Sequence, residues 1–167
     1  MVSTAGLVEW IAILILLVAL IAAALSDVVT YLIPNRYSAA IVAAFPLYAY
    51  GKPLDVWLMG FAAAALLLAC GTLLFARGFL GGGDVKLLTA IGLWSGFDQL
   101  PLLLLGTALA GGALALAYLS PFGFLFPTRP GSGAVSSGTG SRLQDPIPFG
   151  VAIAFSGICI ALSHTVV

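Results

Sequence analysis

Long apolar runs, broken by short polar turns, set the pattern of this chain. About Gly6–Leu25, Val56–Ala76 and Ile147–Val166 each supply the run of roughly 20 residues that a helix needs to cross about 30 Å of hydrocarbon. A fourth run, about Leu100–Leu119, carries Gly106, Ala110, Gly111 and Gly112, small residues that let helix backbones approach closely in lipid. Two further segments are short: about Tyr37–Tyr50, which contains Pro46, and about Val85–Phe97. The pattern predicts an all-α, polytopic membrane protein of about six transmembrane helices. The short helices are expected to start or stop inside the membrane, covered by neighbours. Most turns are tight, but Phe126–Pro146 is rich in Gly, Ser and Pro and reads as a flexible connector rather than a folded unit.

Composition strengthens this picture. The chain is 62% hydrophobic and 7% charged, against roughly 25% charged residues in a soluble domain. So few charges could not cover a water-exposed globule, so the lipid bilayer is the expected surrounding. Net charge is zero, and nothing points to nucleic acid as a partner. The length suits a single membrane-embedded domain over 1–167. Cys70 and Cys159 stand alone in apolar runs, without a CxxC pair, and read as packing residues. No basic residue precedes the first apolar run, which is therefore expected to be a retained helix rather than a secretory signal. With six helices, Arg36, Arg77, Lys86, Arg129 and Arg142 flank the odd-numbered loops, and Lys52 alone lies opposite. Basic loops face the cytoplasm, which predicts both termini outside.

Two acids now stand out. Asp27 follows the first helix, in SDVVTYLIPN, and Asp84 opens the fourth, in GGGDVKLL. Both fall at the predicted cytoplasmic face. Asp84 after a Gly run has an ordinary reading as an N-cap. Asp27 is harder to explain structurally, because the C-terminal end of a helix dipole disfavours negative charge. Acids at membrane depth are candidates for function. From Asp84 to Asp98 is 14 residues, about 21 Å of helix, which is short of a full crossing and puts Asp84 below the surface. Gly81 and Gly83 would let the backbone pass close to a ligand. Two carboxylates in one site titrate as a unit and supply one general base and one general acid. Hydrolysis by such a pair needs no metal and no other cofactor. Neither a HExxH helix nor a Ser/His/Asp set is present.

Gly81-Gly82-Gly83-Asp84 fits the GxGD signature of the GxGD intramembrane aspartic peptidases. Asp27, followed after six residues by Pro34-Asn35, resembles the first catalytic segment of type IV prepilin peptidases, and Pro148-Phe149-Gly150 resembles the segment that opens their last helix. The chain is most similar in plan to the small TadV/CpaA-type enzymes that process Flp/Tad pilins. The resemblance implies a prepilin leader peptidase of the inner membrane that cuts a prepilin substrate at the cytoplasmic face, with Asp27 and Asp84 as the catalytic aspartates. Large members carry a cysteine-rich insertion and also N-methylate the new terminus. This chain has no paired cysteines, so cleavage without methylation is expected.

Other residues are weighed beside these. Lys86 reads either as a snorkelling interfacial lysine or as a cation that tunes the acids or meets an acidic substrate residue. Pro34 and Asn35 form a turn or shape the cleft, Pro148 suits a helix start, and Phe149 reads as packing. His164 and the tryptophans Trp10, Trp57 and Trp94 read as interfacial. The competing functions are a small transporter or proton-conducting protein with the two acids as an ion site, and a structural subunit of a secretion machine with both acids incidental.

Overall fold

A computed structural model describes residues 4–119 and 148–166. The expected flexible connector, 126–146, lies outside these residues. All described elements are helices: α1 (Thr4–Thr30), α2 (Asn35–Tyr48), α3 (Leu54–Ala76), α4 (Gly82–Leu119) and α5 (Phe149–Val166). Helices α1, α3 and α4 are long and apolar enough to cross a membrane, and α5 is a shorter apolar helix.

All six predicted segments are present, the fourth and fifth as the two helical arms of α4, which a kink at Gly96 separates. The apolar part of α4, Gly82–Ala117, is 36 residues long. A straight helix of that length would reach about 54 Å, far beyond a bilayer core. It bends instead at Gly96, whose φ of 54° and ψ of −166° break the helix. The bend folds the second arm back on the first. Gly111 then packs on the Phe149 ring at the start of α5, and Gly106 packs on Ser156. Ser156 Oγ donates to the Leu103 carbonyl at 2.9 Å, and Gln99 Nε2 donates to Ser163 Oγ at 3.1 Å. This ladder makes the second arm antiparallel to α5, with Gly106 and Gly111 of the predicted small-residue cluster at the seam and Gly112 away from it.

Local signals end the other helices. Helix α1 runs one turn further than Leu25 and stops at Tyr31, which takes a left-handed φ of 52°. Pro34 and Pro53, which lack an N–H, stand at the caps of α2 and α3. The end of α3 is a Schellman motif: Gly78 has φ 77°, its N–H bonds the Phe75 carbonyl, and the Phe79 N–H bonds the Leu74 carbonyl.

The core lies where α1, α2, α4 and α5 meet, with Leu16, Leu20, Ile41, Phe45, Leu87 and Ile153 fully buried. Leu14, Leu25, Leu58, Leu73 and Leu109 stay well exposed, a surface suited to lipid.

Charged and polar groups gather at the two ends of this bundle. At one end are Asp27, Asn35, Asp84 and Lys86. At the other, Lys52 Nζ pairs with Glu9 at 2.7 Å and lies 3.5 Å above the Tyr48 ring. Tyr48 Oη bonds His164 Nδ1 at 2.9 Å and stacks on Trp94. One interfacial assignment is thereby corrected. Trp94 is 3% exposed and donates to the Ile41 carbonyl at 3.0 Å. It is a core residue, because its indole N–H finds a backbone acceptor inside the bundle. His164 is half-buried at the same end, bonded to Tyr48.

Candidate active site

Asp27 lies in the last turn of α1 and is 6% exposed. The C-terminal end of its own helix disfavours its charge. Compensation comes from α5. The Gly150 N–H donates to Asp27 Oδ2 at 2.8 Å, and the Val151 N–H adds a second favourable contact. The first amides of a helix have no partner within it, so the start of α5 is a ready donor for an anion. This answers why an acid occupies that position: a second helix end offsets the first.

Asp84 lies at the third position of α4, not at its cap as the sequence suggested. Its carboxyl folds back onto Gly81 and takes the Gly81 N–H. That is the return half of a capping box, in which the third residue serves the amide of the cap. Gly81 holds the capping place because a Cβ there would come 2.8 Å from Asp84 Oδ2.

Ile33 brings the two acids together. A Cβ at Gly83 would stand 3.1 Å from the Ile33 Cβ, and one at Gly150 would stand 2.6 Å from Ile33 Cδ1 and 2.8 Å from Asp27 Oδ2. One side chain in the α1–α2 turn therefore packs at once against the segment that carries Asp84 and the segment that holds Asp27. Asp27 and Asp84 are thereby held around one side chain. They share one end of the bundle, one on the last turn of a helix and the other on the first.

The other predicted site residues lie around this pair. Pro34 caps α2, and Asn35 is the first residue of that helix. Lys86 Nζ donates to Asn35 Oδ1 at 2.9 Å, so its cation is directed to the start of α2. Pro148 is buried just before α5, and Phe149 fills the space at Gly111. Ile33 and Gly150 were part of the quoted motifs but were not singled out as site residues. Their signal in the sequence was only their place beside Pro34 and Phe149. Among the described residues, no group of His, Cys, Asp and Glu is arranged to hold a metal ion, and Cys70 and Cys159 are free and exposed.

The fold and these groups define a class: a membrane-embedded helical protein with two acidic side chains converging at one end. The sequence profile of the type IV leader peptidase family matches residues 14–116, which include both acids. The chain belongs to the type IV leader peptidase family. It is 33% identical over 144 residues to a prepilin leader peptidase/N-methyltransferase of Bacillus subtilis (strain 168), covering 83% of this chain and 50% of that protein. Proteins of the same description from Burkholderia pseudomallei strains 1026b and K96243 are 30% identical over 153 residues, covering 83% of this chain and 42% of theirs. The chain thus spans about half the length of the curated relatives it matches. No solved structure matches it. The transporter reading gains no support from these relatives.

Proposed function

We propose that this chain is a prepilin leader peptidase, a membrane-embedded aspartic endopeptidase in which Asp27 and Asp84 are the catalytic pair. One carboxylate takes a proton from water, and the resulting hydroxide attacks the scissile carbonyl carbon. The other carboxyl gives its proton to the leaving amide nitrogen as the C–N bond breaks. The observation that carries this reading is the convergence of the two acids across Ile33, with the α5 amides held on Asp27. Family membership supports the substrate class, a prepilin.

The finer reading is a small TadV/CpaA-like enzyme acting on type IV or Flp-type prepilins. It lies in the inner membrane with the catalytic end toward the cytoplasm and both termini outside. The basic residues around the odd loops support this orientation. Cleavage proceeds without N-methylation, a reading supported by the two separate, unpaired cysteines. Gly81 and Gly83 allow the close approaches in the site, and Pro34, Asn35, Pro148 and Phe149 set its walls.

The test is co-expression with candidate prepilins and mass measurement of the products. Loss of the leader with an unmodified new terminus is the expected result. Intact prepilins across a panel that a related peptidase does cut would reject the reading.

A further inference from the structure

Helices α2 and α3 form a wedge against α4. They meet at the far end, where the Phe45 ring packs edge-on against Trp57 at 5.4 Å and Phe61 at 6.0 Å. Both helices also pack on α4. Toward the acids lies an open, shallow groove of about 480 Å3, lined by α2, by Leu68 of α3 and by Lys86, Thr89 and Ala90 of α4.

The lining has a definite pattern. Positions 35, 38, 39, 42 and 43 line it from α2, a single helical face by their spacing. Ala39 and Ala43 make a small-xxx-small pair on that face, the kind of surface on which another helix packs closely in lipid. Nothing in the described residues covers Ala39, Val42 or Ala43. Two hydroxyls in the groove, Ser38 Oγ and Thr89 Oγ1, are buried without a hydrogen-bond partner, and Ser38 is only 7% exposed. In hydrocarbon such a group is costly until something bonds to it. Charge adds a direction. Lys86 stands at the open end, two residues past Asp84, and no carboxylate among the described residues pairs with it. The groove descends about 12 Å from Asn35 to Ala43 along α2.

We propose that this groove docks the transmembrane helix of the substrate, packed on Ala39 and Ala43, bonded by Ser38 and Thr89, and presenting an acidic group to Lys86. The inference rests on the leader-peptidase reading and adds the surface that holds the substrate. A helix seated there enters the bilayer beside Asp84, which leaves the adjoining peptide bond at the level of the two acids.

The experiment uses the full chain in membranes with a co-expressed prepilin. A benzophenone amino acid is placed at residue 39 or 68 in the groove, and at residue 14 or 109 on exposed faces elsewhere, each in an Asp84→Asn background. Groove positions should yield the prepilin adduct, and the other two should not. In parallel, Ala39→Trp and Ala43→Trp fill the groove and should raise KM at least about fivefold with a much smaller change in kcat, the mark of lost binding. Leu109→Trp should leave both unchanged. Equal adducts from all faces, adducts with lipid or with residues 120–147 of the same chain, or wild-type KM in the filled variants would overturn the groove while leaving peptidase activity intact. A wild-type chain that cuts no prepilin would instead remove the reading beneath it.

Discussion

A methyl group at Gly150 would have nowhere to go, because Ile33 Cδ1 and Asp27 Oδ2 already stand 2.6 and 2.8 Å from the place it would take. Gly150→Ala must push Asp27 off its amide donor or lift the start of α5. It should cost about 1–3 kcal/mol, read as a lower Tm in detergent, and it should reduce cleavage. Asp27→Asn and Asp84→Asn keep the shape and remove the titratable proton. Each should lower kcat by at least about a hundredfold, with insertion and Tm close to wild type. At this scale the acids were legible, since each sits in a motif of contiguous residues. The Gly150–Asp27 bond was not, because its partners are 123 positions apart and only folding joins them. The ordinary reading of Asp84 as a cap shifts to the third helical position, because a carboxylate after a Gly run suits both places.

Among the elements, α4 carries the most consequence. Its bend puts Asp84 and Gly111 at the same end of the molecule, each near the start of α5. Gly96 has a backbone conformation that is essentially reserved for glycine. Gly96→Ala should cost about 1–3 kcal/mol, and thermal unfolding in detergent would measure it. The sequence predicted a break between Phe97 and Leu100, where the short fourth segment ends and the next apolar run begins. The break falls at Gly96, and the two arms it separates fold into a hairpin. The depth of Trp94 was hidden. A tryptophan beside polar residues looks interfacial, and only its bond to the Ile41 carbonyl marks it as core. The extra turn of α1 was missed for a similar reason. Ser26-Asp27 looks like a boundary, yet Thr30 Oγ1 bonds the Ser26 carbonyl at 2.8 Å within a continuing helix.

For the whole molecule, polarity divides between two ends, and that division ties topology to mechanism. Asp27 and Asp84 lie at one end, while Glu9, Lys52 and His164 lie at the other. Cysteine labelling at residue 133 and at residue 167 should report opposite sides of the membrane, with residue 133 cytoplasmic. Matching sides would contradict the proposed orientation. The fold class was legible because an apolar excess this large leaves few alternatives. The packing of helices against one another was not, since runs so uniformly apolar do not show which face turns inward. The chemistry adds a prediction of its own. One carboxyl must be protonated and one ionised for turnover, so the rate should follow a bell-shaped pH profile whose two limbs belong to the pair. Chelators should leave that profile unchanged.

The central claim is that the two acids together cut a prepilin, and purified chain with purified prepilin in detergent tests it most directly. Intact-mass measurement of the pilin product should show loss of the leader with wild-type chain, in the presence of EDTA, and no loss with Asp27→Asn or Asp84→Asn. Leader removal by either variant, or activity abolished by EDTA and restored by zinc, would contradict the account.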